Sequence, residues 1–330
     1  MNNPSLDDIL RSVAALQSRP VYPVTSPNVN SAFREFKQRL ELREGFGDLI
    51  QQKHNAVQSV LTHLGYKAKL IGSLQRSTKI HPLEKGDFDI DILAEYGSFY
   101  GWQSVGGVSA GLAMSQLKKD ISTSDRYDSM DPQADQPTVV FEYKDEVVVE
   151  LVPAYKNMVG YSPNNEVVAE KGRGYWVPKE GRWVFADYDY DAAFISAVNS
   201  GYSEMLIPLI KMLKAAKRKH FDDMVSFHLE ILATRIVPKE FADYKKRGLQ
   251  ASYPSLVSAF FHKAPAYLGS PIGLYGSHTP PLSLEALAQS KVGRMFTALA
   301  GYCDHIPSQA SEAEKIKMWR VVFGEPFPSS

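Results

Sequence analysis

Residues 71–93 read Ile-Gly-Ser-Leu-Gln-Arg-Ser-Thr-Lys-Ile-His-Pro-Leu-Glu-Lys-Gly-Asp-Phe-Asp-Ile-Asp-Ile-Leu. In this stretch a Gly-Ser turn is followed by Asp89 and Asp91, which alternate with apolar residues. Successive side chains of a strand point to opposite faces, so the pattern predicts a strand with both carboxylates on one face. Two carboxylates on one face repel each other unless cations lie between them. The stretch therefore indicates a site for hard divalent ions such as Mg²⁺, which prefer oxygen ligands and often keep phosphate oxygens among them.

A third aspartate, Asp87, is in phase with this pair, so the two carboxylates could also be Asp87 and Asp89. We favour Asp89 and Asp91 because apolar residues flank both of them, whereas Asp87 follows Gly86 and is expected to open the strand. Aspartate is disfavoured in strands, and two on one face of an apolar strand are costly. The pattern therefore favours a functional pair over exposed strand residues.

Another carboxylate, Glu150, lies in the apolar stretch 147–152, which predicts a further strand. A buried glutamate without a partner is costly, and a metal site shared with Asp89 and Asp91 would remove that cost. The alternative is a glutamate on an edge strand that pairs with a lysine. We favour the metal site because the two aspartates need a third ligand from a neighbouring strand.

The Gly72-Ser73 pair follows a predicted strand and precedes a predicted helix. Glycine permits close approach of the backbone to a phosphate, helix N-terminal amides favour anions, and the Ser73 hydroxyl can donate to a phosphate oxygen. The alternative is an ordinary Gly-Ser turn, which taken alone is the better interpretation.

The composition is that of a soluble globular protein: 330 residues, 44% hydrophobic and 22% charged. Lys plus Arg and Asp plus Glu number 37 each, and this zero net charge argues against nucleic-acid binding through bulk charge. The single cysteine, Cys303, excludes an intrachain disulfide and is expected in the core. No apolar run reaches the length of a membrane span, and the first ten residues lack a signal-peptide pattern. We therefore expect a cytoplasmic protein.

The spacing of apolar residues predicts strands first and helices later, which is typical of an α+β fold. Predicted strands are 67–71, 88–94, 138–143 and 146–152, the last ended by Pro153. Predicted helices are 5–17, 31–63 with a bend near Gly45 and Gly47, 109–121, 191–199, 204–220, 225–236, 252–260, 283–300 and 311–322. Residues 156–187 are predicted to be irregular. We divide the chain into N-terminal helices (1–65), a catalytic core (66–187) and a helical C-terminal lobe (188–330).

The order Gly72-Ser73, Asp89-x-Asp91 and Glu150 before Val-Pro-Ala resembles the polymerase β-type nucleotidyltransferase superfamily. Within it, the chain is similar to the CD-NTases, bacterial relatives of cyclic GMP–AMP synthase and oligoadenylate synthase that act in antiphage (CBASS) signalling. Weaker matches cover most of the chain and lie at 78–82, 183–187, 209–214, 226–230 and 319–327. The third carboxylate of the superfamily is commonly aspartate, so Glu150 is a departure that leaves the ligand geometry open.

The resemblance implies two lobes with a cleft between them: a nucleotidyltransferase lobe with a mixed sheet, and a helical C-terminal lobe, with the N-terminal helices bracing both. It implies that Asp89, Asp91 and Glu150 hold two Mg²⁺ ions, with Mn²⁺ as the alternative. It also implies that Lys214, and with it Lys211, contacts the phosphates of a nucleotide bound at Gly72 and Ser73.

Each of these helical-lobe residues has a second interpretation. Lys211 and Lys214 lie on one polar stripe of the predicted helix 204–220, which could be a solvated face. Ser226 is a further candidate phosphate ligand but could be only a helix N-cap. His228 and Glu230 are expected to make packing and interhelix contacts. His81 lies near the predicted active strands, but a lone histidine in a loop has many explanations.

The function implied is synthesis of a cyclic di- or trinucleotide second messenger from ATP, GTP or other triphosphates, with release of pyrophosphate, in antiphage defence. Regulatory or effector proteins of that system are expected partners, with no membrane and no long nucleic acid required. The alternative is template-independent addition of nucleotides to an RNA end, which the zero net charge disfavours. A third class, a non-catalytic binding or antitoxin-like module, is disfavoured by the three carboxylates.

Overall fold

The structure is a computed structural model that describes residues 28–82, 88–98, 109–135, 137–145, 147–158 and 168–329. The chain folds into two compact units. The sheet unit comprises Leu42–Phe194 and Tyr275–Pro280, and the helical unit comprises Met1–Glu41, Ile195–Leu274 and Pro281–Ser330. The predicted helix 5–17 and Asp87 lie outside the described residues.

The predicted bent helix 31–63 is two separate helices, α1 (Val29–Leu40) and α2 (Phe46–His63). The break lies at Gly45, whose φ of +87° belongs to the left-handed region that glycine adopts without strain. Helix α1 belongs to the helical unit and α2 to the sheet unit, so the predicted segment 1–65 is divided between the units after Glu41.

The sheet unit is built on a mixed sheet, as the α+β prediction requires. Its strands are β1 (Lys67–Leu70), β2 (Phe88–Ser98), β3 (Gln133–Asp135), β4 (Thr138–Glu142), β5 (Val147–Lys156), β6 (Tyr175–Lys179) and β7 (Arg182–Ala186). The strand order is β1-β2-β5-β4-β3, with β6 paired to β5 and β7 to β6. Strands β2 and β5 are parallel, and the other pairs are antiparallel. The short helix α3 (Gly72–Gln75) follows β1, and α4 (Ala110–Ser122) follows β2.

The hairpin β6–β7 corrects the prediction that residues 156–187 are irregular. Its register pairs Lys179 with Arg182, so Glu180 and Gly181 form a two-residue loop. Both loop residues have positive φ, as a type I′ turn requires. Pro178 is tolerated in β6 because β5 pairs with β6 only at Tyr175 and Trp176.

Strand β5 also continues through Pro153, which the sequence analysis placed at its end. Pairing with β4 stops at Leu151, and pairing with β6 starts at Tyr155. The missing N–H of Pro153 therefore falls in the gap between two antiparallel neighbours, where it interrupts neither ladder.

One face of the sheet forms the larger core, and the opposite face combines polar side chains with a smaller apolar cluster that includes Leu93 and Val152. The buried residues of β2 and β5 on the core face are Phe88, Ile90, Ile92, Val147, Val149 and Leu151. They cluster with apolar residues of α2 and α4 such as Val57 and Leu117. Because strand side chains alternate, the residues between them in sequence point to the opposite face.

A segment that is distant in sequence completes the sheet unit. Arg173 Nη2 donates to the Gly276 carbonyl at 2.7 Å and to Asp187 Oδ2 at 2.5 Å. Thr279 Oγ1 accepts from the Asp187 backbone N–H at 3.0 Å and donates to Asp191 Oδ2 at 2.9 Å. The Asp187 and Asp191 side chains are almost fully buried, so these contacts supply hydrogen-bond partners to two interior carboxylates.

The helical unit contains most of the remaining helices. They are α5 (Tyr188–Gly201), α6 (Leu206–His220), α7 (Ser226–Lys246), α8 (Tyr253–Lys263), α9 (Ala286–His305) and α10 (Glu312–Phe323). The boundary between the units falls inside α5, after Phe194. Helix α7 runs ten residues beyond its predicted end and contains Pro238. Cys303 is buried in α9, which confirms the expected core position. None of the helices in the described ranges has the length and apolar character needed to cross a bilayer.

Candidate active site

Three carboxylates share the polar face of the central strands. The parallel register of β2 and β5 pairs Asp91 with Glu150 and Asp89 with Val148. Residues paired across parallel strands point to the same face, so Asp89, Asp91 and Glu150 lie together opposite the core. The edge-strand alternative for Glu150 is wrong, because β5 pairs at this residue with β2 and, through Val140, with β4.

The environment of Glu150 disfavours its negative charge. Burial, and then the charges of Asp91 and Asp89, raise the pKa of the Glu150 carboxyl to about 7, while Lys79 acts in the opposite direction. An ordinary glutamate has a pKa of about 4.3. The loss of solvent and the neighbouring carboxylates both raise the pKa because they disfavour the ionised form. A cation placed among the three side chains would favour the ionised form.

This raised pKa predicts how the stability of the metal-free protein changes with pH. Folding favours protonated Glu150, so its stabilising contribution is complete below about pH 4.5 and is lost as the pH rises through about 7. We expect the free energy of unfolding of the wild type, relative to Glu150→Gln, to fall by on the order of 1–2 kcal/mol over this window, after allowing for partial exposure. Urea unfolding of both proteins at a series of pH values checks this. Equal pH dependence of the two proteins would contradict it.

A lysine that the sequence analysis did not select contacts the first aspartate. Lys79 Nζ lies 2.5 Å from Asp89 Oδ1, and the lysine side chain is only 9% exposed. The backbone N–H groups of Thr78 and Lys79 both donate to the Ser73 carbonyl, at 2.9 and 3.1 Å. The Gly72-Ser73 turn and the aspartate strand are therefore linked through Lys79.

Gly72 is packed directly against the second aspartate. Its φ is +66°, and a Cβ atom at this position would lie 2.1 Å from Asp91 Oδ2. No side chain fits there without displacing the carboxylate. Two constraints therefore require glycine at this position: the backbone is left-handed, and the Asp91 carboxylate occupies the space that a side chain would need.

Tyr188, at the start of α5, is a further residue that the sequence analysis missed. Burial raises the pKa of its phenol, and the negative charge of Asp91 adds to this effect while Arg76 opposes it. The phenol is therefore neutral near Asp91 and can serve as a hydrogen-bonding group. A tyrosine at a helix start has no sequence pattern that would have distinguished it.

The donor set suits a hard divalent cation. No three His, Cys, Asp or Glu side chains within the described part of the chain are arranged closely enough to hold a metal ion as they stand. The three carboxylates nevertheless offer only oxygen ligands, which Mg²⁺ and Mn²⁺ accept. The Lys79 ammonium on Asp89 shows that this position already binds a positive charge. The residues therefore fit the metal chemistry, and their side chains would have to move to enclose an ion.

The two predicted lysines of α6 lie in the helical unit and are buried. Lys211 Nζ is 2.5 Å from Glu41 Oε2, and Lys214 Nζ is 2.7 Å from Glu230 Oε1. Both lysines are 6% exposed, so the solvated-face alternative is wrong. Glu230, which is fully buried, makes the interhelix contact expected of it.

The remaining candidate residues, Ser226, His81 and His228, lie at a helix start or in the interior of the protein. Ser226 is the first residue of α7, and Val225 is its N-cap, so the N-cap alternative for Ser226 is wrong. Its hydroxyl is half-buried at a helix start. His81 is buried in the sheet unit, with its ring 4.8 Å from that of Phe46. His228 is buried in α7, as a packing residue would be.

Comparison with known proteins identifies a domain in the part of the chain that contains the three carboxylates. Residues 28–177 match the model of the Second Messenger Oligonucleotide or Dinucleotide Synthetase domain. No curated protein sequence is significantly similar to the chain.

Solved structures with the same fold have low sequence identity to the chain. CdnC of E. coli MS115-1, solved in complex with HORMA-deltaN, is 16% identical with a TM-score of 0.62, over 91% of this chain and 98% of that one. CdnG of Bradyrhizobium diazoefficiens, solved with GTP, is 12% identical with a TM-score of 0.63, over 91% and 96%. The GTP-bound DncV of Vibrio cholerae is 11% identical with a TM-score of 0.60, over 97% and 88%.

At these identities the solved structures establish the fold, and the domain match identifies residues 28–177 as a synthetase domain. The fold and the synthetase domain both agree with the resemblance seen in the sequence. Residues 28–177 therefore form a synthetase domain of the nucleotidyltransferase class, and the chain shares its fold with solved structures of CD-NTases.

Proposed function

We propose that Asp89, Asp91 and Glu150 are the catalytic carboxylates with which this enzyme joins nucleoside triphosphates into a cyclic di- or trinucleotide. The observation that carries the proposal is the parallel register of β2 and β5, which pairs Asp91 with Glu150 and sets Asp89 on the same face. In the reaction a ribose 2′- or 3′-hydroxyl attacks the α-phosphate of a triphosphate in line, and pyrophosphate leaves.

Each carboxylate has a part in binding positive charge. Bound between these side chains, two Mg²⁺ ions, or Mn²⁺ in their place, would lower the pKa of the attacking hydroxyl and neutralise charge on the departing pyrophosphate. Asp89 and Asp91 offer oxygens from one strand, and Glu150 offers a third group from the next. Glu150 has the most to gain from a cation, because burial and its two neighbours raise its pKa to about 7.

The turn before β2 is suited to hold the triphosphate. Gly72 has no side chain to obstruct a phosphate, and the Ser73 hydroxyl is half-buried and available as a donor. Lys211, Lys214 and Ser226 are the further proposed phosphate-binding residues, two with positive charge and one with a hydroxyl donor. The carboxylates of Glu41 and Glu230 hold the two lysines in place, so binding a phosphate would require each ammonium to share or exchange its partner.

ATP, GTP or other nucleoside triphosphates are the proposed substrates, and an antiphage signalling system in the cytoplasm is the proposed setting. The structure of CdnG was solved with GTP, and that of CdnC with HORMA-deltaN. These complexes support a nucleotide substrate and a regulatory or effector protein partner for this chain also.

Product analysis tests the proposal. The protein is incubated with Mg²⁺ and all four labelled triphosphates, without an acceptor, and the products are separated and weighed by mass spectrometry. We expect small phosphatase-resistant cyclic products together with released pyrophosphate. Products that form only when RNA is added would instead support addition to an RNA end. Absence of pyrophosphate release under both conditions would indicate a non-catalytic module.

A further inference from the structure

The ammonium group of Lys79 is positioned at the carboxylate proposed to bind metal. Its Nζ atom lies 2.5 Å from Asp89 Oδ1, a charge-assisted hydrogen bond. The Lys79 side chain is 9% exposed, whereas Asp89 remains 40% exposed. The lysine thus approaches from inside the protein, and the aspartate keeps an open side toward solvent.

The backbone fixes Lys79 in this place. Ser77 has a positive φ of 59°, and the next two backbone N–H groups, of Thr78 and Lys79, both donate to the Ser73 carbonyl. Thr78, Lys79 and Ile80 are all buried. The Nζ atom also lies 5.1 Å from the ring centroid of Phe88, which favours a cation there. The ammonium is therefore held by its surroundings at the edge of the carboxylate face.

A second lysine of the same unit has nearly the same local setting but a different location. Lys53 Nζ lies 2.6 Å from Asp145 Oδ2, with side-chain exposures of 12% and 48%. It also lies over an aromatic ring, 3.8 Å from the centroid of Tyr143. Asp145 belongs to the loop between β4 and β5 and not to the carboxylate face. This pair is the matched reference for any effect specific to Lys79.

We propose that Lys79 is a positioning residue that takes the place of a cation at Asp89 in the metal-free enzyme, and that metal binding requires the ammonium to leave Asp89 Oδ1. This inference rests on the proposed function, since it assumes that Asp89 is a metal ligand. Two cations on one carboxylate oxygen repel each other, so the ion pair and the metal compete. Lys79 would therefore hold Asp89 in place and restrain metal binding until nucleotide phosphates offer the ammonium another partner.

Binding of Mn²⁺ to the full chain, measured by electron paramagnetic resonance without nucleotide, tests this competition. We expect Lys79→Met and Lys79→Gln to bind Mn²⁺ about five- to tenfold more tightly than the wild type, as loss of a competing pair worth about 1 kcal/mol implies. Lys79→Arg keeps the cation and should return the affinity toward that of the wild type. Lys53→Met should leave it unchanged.

The direction of the effect separates this role from a merely structural one, because damage to the site would weaken Mn²⁺ binding. Unchanged or weaker binding in both Lys79→Met and Lys79→Gln, or equal tightening in Lys53→Met, would overturn the inference. Asp89→Asn with Asp91→Asn provides the separate control for the proposed function. If the wild type binds Mn²⁺ no better than this double variant, the assignment of the metal ligands is itself wrong.

Discussion

Replacement of Asp89 and Asp91 together by asparagine should reduce product formation by about 10³-fold or more, because the site loses two of its three negative charges for metal ions. Asparagine has nearly the same size as aspartate, so the packing of β2 should not change. The variant loses the ion pair between Asp89 and Lys79, which lowers stability. It also loses the repulsion between the two aspartates and Glu150, which raises stability. We therefore expect its free energy of unfolding to stay within about 1 kcal/mol of the wild type. Pyrophosphate release and urea unfolding measure the two quantities.

Glu142→Gln is the matched control for this double variant. Glu142 is an exposed carboxylate on β4 in the same sheet, at the end of the pairing with β5. We expect it to retain wild-type product formation, which shows that a loss of negative charge from the sheet is not enough to inactivate the enzyme. Normal product formation by the aspartate double variant would remove the proposed catalytic role from both residues.

Substitution of Gly72 by alanine should lower product formation by at least about 10²-fold, because a misplaced catalytic group has an effect of this size. The new Cβ atom would lie 2.1 Å from Asp91 Oδ2 and 2.7 Å from its Cγ, so the carboxylate must move. The backbone contributes separately, since a left-handed conformation costs a non-glycine residue about 1–2 kcal/mol.

Gly97 separates these two effects. It has almost the same φ, +64°, and a Cβ atom there would meet no atom of the described residues within 4 Å. Gly97→Ala therefore carries the backbone cost alone, and it should lower the free energy of unfolding by about 1–2 kcal/mol while leaving product formation largely intact. Similar losses of activity in the two variants would show that backbone strain, and not displacement of Asp91, is responsible.

The sequence predicted strand β2 and the shared face of its aspartates because alternation of side chains is a local property. It could not supply the register of β2 with β5, since these parallel strands are joined through a long connection that includes α4, β3 and β4. The β6–β7 hairpin was missed because its two-residue loop is Glu180-Gly181 and not the Asn-Gly or Asp-Gly that signals such turns.

The contacts of the charged residues could not be predicted from the sequence either. Lys79 is visible in the sequence, but its burial and its contact with Asp89 depend on the tertiary fold. Lys211 and Lys214 occupy the predicted helix, yet their partners Glu41 and Glu230 come from other parts of the chain. A helical pattern shows which residues share a stripe, but it does not show whether that stripe faces water or another charged side chain.

The sheet unit includes the distant segment Tyr275–Pro280, so it cannot finish folding on the ribosome until that segment has been made. Domains usually fold as they emerge, from the N-terminus onward. Here the backbone N–H of Asp187 and the carboxylate of Asp191 bond to Thr279, and Arg173 bonds to the Gly276 carbonyl, so these contacts form only after residues 276–279 have been made. Newly made protein therefore passes through a stage in which strands β1 to β7 have been translated but the unit is unfinished. Until residue 280 has left the exit tunnel, this nascent intermediate lacks the hydrogen bonds that Gly276 and Thr279 supply in the finished unit.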